Sequence, residues 1–354
     1  MMASLLSKLQ FWKGSSHLPG LWKWLLALVC VLAILLSVLG MYWSNEPSQF
    51  DVVAEAKATA QARDDLGENK QLVVGYTTAN TLHEMVDTLL NKPGGFISND
   101  VMPPGIFMDN MPSWEFGVLV QVRDLARAMR KEFSRSQSQS TEDVNLKVAE
   151  PQFNFDNNSW ALPSSESEYL RGNKEILEYM DRLAGNSSQA PAKFYARADN
   201  LVDWLSDVST RLGSLSQRLS ASVVKVRENT DLAGNKSAQD ASNNNNEEAY
   251  KYVKTPWGQI DNVFYEARGT SWALIHILKS VEVDFAPTLR DKNALVSLRQ
   301  IIRELESTQE SVWSPMILNG SGFGVLANHS LVMASYLSRA NAALIDLRSL
   351  LEQG

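Results

Sequence analysis

Cysteine and histidine are scarce in this sequence, and their scarcity excludes several kinds of site. The 354 residues include one Cys and four His. A single Cys cannot form a disulfide framework, a Cys-rich zinc site or an iron–sulfur cluster. That residue, Cys30, lies inside an apolar stretch, so a Cys–His nucleophile in the rest of the chain is excluded. The sequence therefore predicts a body that folds through its hydrophobic core, with no metal and no cofactor.

Acidic residues and Arg are absent from residues 1–45, whose only charged side chains are Lys8, Lys13 and Lys23. The rest of the chain holds 30 basic and 40 acidic residues, a net charge of −10. An acidic body disfavours binding to a phosphate backbone, so we expect no nucleic-acid partner.

Residues 24–43 (WLLALVCVLAILLSVLGMYW) carry no charge, and 20 such residues are about enough to cross a bilayer. Trp and Tyr stand at both ends of the stretch, as is typical of membrane interfaces. Lysines precede it and acids follow it, which predicts a single-pass signal-anchor with residues 1–23 as a cytoplasmic tail. A cleaved signal peptide and a buried core helix are the alternatives. The apolar stretch is longer than the roughly 7–15 residues of a signal peptide, which favours the anchor.

The compartment beyond the span follows from the same scarcity of cysteine. A body without Cys in a disulfide-permissive space fits a bacterial periplasm better than a secretory lumen. We therefore expect an inner (cytoplasmic) membrane protein, bound through residues 24–43, with its C-terminal domain in the periplasm.

The remainder predicts an all-α protein, because apolar residues recur at helical spacing and strand alternation with hairpin turns is not evident. Residues 44–75 are Ala-rich and charged, and predict a helical stalk. Residues 76–228 predict a helical region, and residues 250–354 a second one. Residues 229–249 are Asn-rich and lack core residues, and predict a disordered linker.

Residues 92–112 (KPGGFISNDVMPPGIFMDNMP) interrupt the first helical region with four Pro and three Gly. The segment is irregular yet apolar, so we expect it to lie against the body and to be a candidate interaction loop. The candidate contact residues in and beside it are Phe96, Asp100, Pro103, Pro104, Phe107, Asp109, Trp114 and Glu115.

Residues 192–228 contain a heptad-like seam. Its members are Leu201, Leu205, Val208, Leu212, Leu215, Leu219 and Val226. A long bundle helix within one chain is the favoured interpretation, and a coiled coil that forms a homo-oligomer is the alternative. A separate pattern, an aromatic residue followed three positions later by Arg, recurs every 71 residues at Phe194, Tyr265 and Tyr336. Chance accounts for it, with a duplicated helical hairpin as the alternative.

Catalytic motifs are not recognisable, so we expect the protein not to be an enzyme. His83–Asp87 (HEMVD) resembles a zincin motif, but Asp87 stands where the second His ligand is required. Asp100, Asp109 and Glu115 are the acids that a cell-wall glycosidase could use. Acids in loops more often cap helices or form turns.

The most distinctive sequence lies at residues 76–80 (YTTAN), 92–96 (KPGGF), 98–100 (SND), 103–105 (PPG) and 109–115 (DNMPSWE). Together with the N-terminal span, it resembles an uncharacterised family of Gram-negative bacterial single-pass membrane-anchored proteins, classed as a domain of unknown function. The resemblance implies a bacterial origin and inner-membrane placement, and it implies no activity or catalytic residues.

We therefore expect a structural, scaffold or interaction module with an envelope protein as its partner. An anchor raises the local concentration of the body near membrane partners. A ligand-binding sensory domain that works through a partner is one alternative, and a cell-wall enzyme that uses loop carboxylates is the other.

Overall fold

The computed structural model describes residues 20–65, 71–136, 141–223, 225–228, 250–314, 316–321 and 324–353. Helices dominate these residues, so the all-α prediction is confirmed. The predicted cytoplasmic tail falls mostly outside the described residues, and the predicted linker at 229–249 falls wholly outside them.

Helix α1, Gly20–Trp43, contains the predicted span. Its stretch Trp22–Trp43 is long and apolar enough to cross a membrane, and none of it is buried inside the protein. Apolar side chains that the fold leaves mostly exposed are unfavourable in water, and they are compatible with lipid. A signal sequence meets the same criteria of length and composition.

Helix α2, Val52–Arg63, is the predicted stalk helix, but it lies against the body instead of standing free. Asp51 caps it by accepting hydrogen bonds from the backbone N–H groups of Val53 and Ala54. Val52, Ala56 and Ala60, spaced by four, are buried on one face. Two of the three are Ala, whose small side chains let α2 approach the body closely.

The body then adds nine further helices within the described residues. In chain order they are α3 (Tyr76–Asn91), α4 (Asn110–Ala128), α5 (Leu146–Phe153), α6 (Ser165–Ala184), α7 (Ala198–Ser220), α8 (Ile260–Asp284), α9 (Ala286–Asp291), α10 (Leu295–Ser307) and α11 (His329–Glu352). A 3-10 turn, Gly105–Phe107, precedes α4, and a π turn, Met129–Phe133, continues it.

Helix α8 is the centre of the body, with buried residues on every side of its middle. Its tightest neighbour is α4. A Cβ added at Gly117 would lie 2.2 Å from the carbonyl oxygen of Glu266, and one at Gly269 would lie 2.0 Å from that of Trp114. The two backbones therefore touch where each helix has a Gly. This contact fixes the position of residues 110–117 relative to the core.

Asp284, at the end of α8, also fixes where α3 begins. Its carboxylate accepts hydrogen bonds of 2.7 Å from both the backbone N–H and the hydroxyl of Thr78, in the first turn of α3. Burial raises the pKa of Asp284 to about 6, against these hydrogen bonds, which lower it. The distinctive stretch 76–80 is thus the start of a helix that is capped by a distant carboxylate.

The heptad seam lies inside one chain, as the bundle interpretation predicts. Its six members on α7, from Leu201 to Leu219, are 0–4% exposed, and the helix packs chiefly against α11. A second copy could not use these side chains without opening the bundle. The predicted seventh member was wrong, because α7 ends at Ser220 and Val226 lies in a strand.

Among the residues that the structure describes, the strands form one antiparallel pair, β1 (Lys225–Glu228) and β2 (Tyr250–Val253), in which Lys225 pairs with Val253. The sequence analysis missed them. Each is four residues long, which is too short for alternation to show. The pair places Glu228 opposite Tyr250, and it lies between α7 and α8 in the chain.

The 71-residue repeat has no common structural context. Phe194 and Arg197 precede α7 in irregular backbone, whereas Tyr265 lies in α8 and Tyr336 in α11. Only the second and third copies therefore lie in helices, and the described structure does not show a repeated hairpin.

Candidate functional site

The first half of the predicted interaction loop is built around Glu115, which is fully buried in the second turn of α4. Its carboxylate accepts hydrogen bonds from the backbone N–H groups of Ile97 and Ser98, each 2.8 Å long, and one from the Ser98 hydroxyl. Lys92 lies 2.5 Å away and is buried as well. Burial raises the pKa of Glu115, whereas Lys92 and these donors lower it.

Glu115 therefore holds the loop to the helix. Its carboxylate is occupied and has no access to solvent, so it cannot act on a substrate in this conformation. Trp114 is buried beside it, with its ring centroid 5.3 Å from that of Trp272 in α8. Phe96 is also buried and packs edge-to-face on Tyr169, at 5.5 Å.

The other two acids of the candidate set have different surroundings. Asp100 is half-buried against Gly105, and burial, followed by the charge of Glu166, raises its pKa. Asp109 is exposed at the start of α4. The three carboxylates thus occupy a buried, a half-buried and an exposed position, and the described cavities do not include them among their lining residues.

The second half of the loop is exposed and apolar. Pro104 is buried and Pro103 exposed. Large apolar side chains lie to either side of them. Their exposed fractions are Val101 48%, Met102 70%, Ile106 54% and Phe107 82%. Of the eight predicted contact residues, three are freely accessible, one is half-buried and four are buried. In that order they are Phe107, Pro103 and Asp109; Asp100; and Phe96, Pro104, Trp114 and Glu115.

This loop also touches the anchor helix. A Cβ added at Gly40 would lie 3.5 Å from the Cβ of Pro104. Gly94, in left-handed backbone with φ of 88°, lies under the indole of Trp43, and a Cβ there would come within 2.8 Å of the ring. Gly40 and Trp43, three residues apart on one helical face, are accordingly less exposed than their neighbours.

The linker between α1 and α2 is fastened to the body by Arg268. Its guanidinium binds both carboxylate oxygens of Glu46, at 2.7–2.9 Å, and donates to the carbonyl oxygens of Thr308 and Glu310. Such paired, charge-assisted hydrogen bonds fix orientation as well as distance. The side chain of Arg268 is 8% exposed and that of Glu46 is 18% exposed, so water screens the pair little.

His276, which is fully buried in α8, makes a second attachment. Its Nε2 accepts a 3.0 Å hydrogen bond from the backbone N–H of Phe50. Nδ1 must then donate to the Trp272 carbonyl, 2.7 Å away, so the ring is neutral. The Phe50 ring also stacks on the imidazole, with centroids 4.0 Å apart. Burial lowers the pKa of His276 to about 4.

Sequence reasoning missed this linker because Glu46 and Arg268 are separated by 222 residues. A cavity of about 400 Å³ lies between the linker and the body, with Ser44, Glu46, Tyr265 and Val312 among its lining residues. The cavity thus lies where the linker that follows the anchor meets the body.

Among the described residues, the zincin-like motif does not belong to a group of three potential metal ligands. His83 is hydrogen-bonded to Asn173 at 3.0 Å, and burial lowers its pKa. Glu84 faces α2, and burial with the charge of Glu55 raises its pKa to about 7.

A family model described as "Uncharacterized protein conserved in bacteria" (DUF2333) matches residues 16–354. No curated protein and no solved structure matches the chain.

Proposed function

The chain belongs to this bacterial family of uncharacterized proteins, and from that premise we propose that it is a membrane-anchored module of the cell envelope, with a structural, scaffold or interaction role. Helix α1 crosses the inner membrane with the N-terminus in the cytoplasm. The helical body lies on the periplasmic side, against the membrane surface.

The fastened linker is the observation that carries this proposal. An anchor that served only as a tether would be followed by a flexible segment. Here Glu46 and Phe50 are bound to Arg268 and His276 within eight residues of the end of α1. The body is thus held at one orientation to the anchor, which suits a part that positions other proteins.

The proposed partner is another envelope protein. Confinement to a membrane raises the local concentration of the body near membrane partners and increases effective affinity without new contacts. We propose a non-enzymatic role, and the burial and pairing of Glu115 support this over an enzyme that uses the loop carboxylates.

Fractionation and topology test the placement. In the bacterial host, the full-length chain should stay in the membrane pellet after alkaline carbonate extraction. Protease added to spheroplasts should digest the body and spare the N-terminus. A variant without residues 24–43 is the control, and should be released. Recovery of the intact wild-type chain in the cytosolic fraction would overturn the proposal.

The partner is tested separately, by crosslinking in cells followed by purification of the full-length chain. A defined envelope protein should be recovered with the wild type, and reciprocally when that protein is purified. Deleting 92–112 is unsuitable as a control, because it removes buried Lys92, Phe96 and Ile97. The anchor-deleted chain is the matched control, and equal recovery from both would contradict a partner selected by the membrane.

The cavity beside the linker favours one second candidate, a sensory domain that works through a partner. A ligand bound between Glu46 and Tyr265 would contact both the linker that follows α1 and the body. Envelope metabolites that raise the thermal unfolding temperature of the full-length chain, but not of Tyr265→Ala, would support it. No shift in either chain would count against it.

A further inference from the structure

The exposed half of the loop consists of apolar residues of the kind usually found in a protein core. Residues 101–108 (VMPPGIFM) contain no charged side chain and no side-chain hydrogen-bonding group, and Asp100 and Asp109 bound them. Four large apolar side chains protrude, of which Phe107 is 82% and Met102 70% exposed. A contiguous apolar surface of this kind marks a binding surface for protein or for lipid.

The position of the loop decides between these two. Pro104 packs at Gly40, which lies three residues, or nearly one helical turn, before the end of α1 at Trp43. At about 1.5 Å per residue, Gly40 lies about 4.5 Å further along the axis than Trp43, toward the middle of the apolar stretch. Tyr42 and Trp43 mark the interface end of that stretch. The loop therefore reaches past the interface residues of the anchor.

Gly40 and Trp43, on one face of the last turn of α1, both contact the loop, at Pro104 and Gly94 respectively. The loop thus covers one face of the last turn of α1. The medium that surrounds α1 at this depth therefore also lies beside the loop.

We propose that residues 101–107 insert into the lipid interface beside α1, as a second membrane contact made by Val101, Met102, Ile106 and Phe107. This rests on the proposed anchoring of α1 in a membrane. The occupant is the acyl and headgroup boundary of the leaflet on the body's side. Insertion would shield side chains that are otherwise exposed to water, and it would hold the body against the surface. Because the stretch carries no charge, neutral lipid suffices.

Depth-sensitive fluorescence tests the proposal on the full-length chain. The native cysteine is removed by Cys30→Ser, and one new Cys is introduced and labelled with an environment-sensitive dye. The labelled chain is reconstituted in phosphatidylcholine vesicles. The test position is Phe107→Cys. Val38→Cys, within α1, reports on insertion of the anchor. Val296→Cys, 78% exposed, is the matched control. Val296 lies near the start of α10, and Thr308, whose carbonyl oxygen accepts a hydrogen bond from Arg268, follows the end of that helix. The two residues are about 18 Å apart along the helix axis, so position 296 is remote from the linker.

We expect a nitroxide lipid quencher placed near the headgroup to quench the dye at position 107 several-fold more than at 296. Aqueous acrylamide should quench it several-fold less. If the lipid quencher quenched the dye at position 38 but not at position 107, and acrylamide had free access to position 107, the proposal would be overturned. The anchoring of α1 would still stand. No lipid quenching at 38 would instead contradict the anchoring itself. Protection of 107 from acrylamide without lipid quenching would show that protein, such as a second copy, covers the loop, and would also overturn the proposal.

Discussion

At Glu115, one carboxylate satisfies two backbone N–H groups, a hydroxyl and a buried ammonium, all from the segment 92–98. An irregular segment rich in Gly and Pro cannot satisfy its own backbone donors through a helix, so a buried acceptor does so. This arrangement explains how an acid can lie in the core of a protein in which other acids are mostly on the surface.

Removing the charge of Glu115 should therefore be costly. Glu115→Gln leaves the ammonium of Lys92 buried without a counter-charge, and breaking a buried pair in this way costs about 3–5 kcal/mol. Denaturant unfolding of the full-length chain in detergent would measure the loss. The double variant Lys92→Met with Glu115→Gln should recover part of it. Equal stability of wild type and Glu115→Gln would contradict the claim that Glu115 balances the buried charge of Lys92.

The imidazole of His276 predicts a pH dependence of stability. Burial lowers its pKa from 6.5 to about 4, so the unfolded chain binds a proton in this range and the folded chain does not. Stability from His276 is complete above pH 6.5 and is lost as pH falls toward 4, by up to about 3 kcal/mol.

The comparison of wild type with His276→Gln isolates this effect. Gln keeps an acceptor for the Phe50 N–H but does not titrate. Asp284 and Glu84, whose pKa values burial raises to about 6 and about 7, act in the opposite direction and are common to both chains. Thermal unfolding between pH 7.5 and 4.5 should show a larger loss in the wild type. If the unfolding temperatures of the two chains fell in parallel with pH, the stability would not depend on a neutral His276 ring.

Among the elements, the pair α4 and α8 is set by two glycines. Gly117→Ala would place a Cβ 2.2 Å from a backbone carbonyl, so the helices must separate. Although Ala is a better helix former than Gly by about 1 kcal/mol, overpacking costs about 1–3 kcal/mol. We expect a net loss of stability at Gly117. The matched control is Gly213→Ala in α7, where the nearest atom is 3.7 Å away, and it should stabilise by up to about 1 kcal/mol. Stabilisation by both would contradict the close contact.

The seam of α7 makes a prediction that separates core from interface. Leu212 is fully buried between helices of one chain. Leu212→Ala should lower the free energy of unfolding by about 2–5 kcal/mol. Its oligomeric state in detergent, measured by light scattering, should equal that of the wild type. A change from dimer to monomer with little loss of stability would favour the coiled-coil alternative.

These elements show which parts of the fold the sequence reveals. The anchor and the seam are local patterns, since 20 uncharged residues and a period near 3.5 can each be read within one segment. The cap from Asp284 to Thr78, the pair Glu46–Arg268 and the backbone contact at Gly117 join residues far apart in the chain. One sequence alone contains no signal for such pairings.

The candidate loop was predictable only in part for the same reason. Its apolar content and its irregularity indicated a segment held against the body. Which half is buried depends on Lys92 and Glu115, which are 23 positions apart, and on contact with Gly40 and Trp43 of the anchor. The strand pair β1–β2 was missed because its register is set across the 21 residues that separate the two strands.

For the whole molecule, the account rests on the anchor and the body forming one unit. Arg268 is central to it, because one side chain links Glu46, which follows α1, to the carbonyl oxygens of Thr308 and Glu310, which follow α10. Arg339, which pairs with Glu304 on the surface and is about half exposed, supplies a matched control without contact to the linker.

The most direct test is the distance distribution between spin labels at Val38→Cys in α1 and Val296→Cys in α10, in the full-length Cys30→Ser chain reconstituted in vesicles. The account predicts a single narrow distribution, unchanged by Arg339→Ala and broadened by Arg268→Ala. A broad distribution in the chain with Arg268 intact, no different from that of Arg268→Ala, would contradict it.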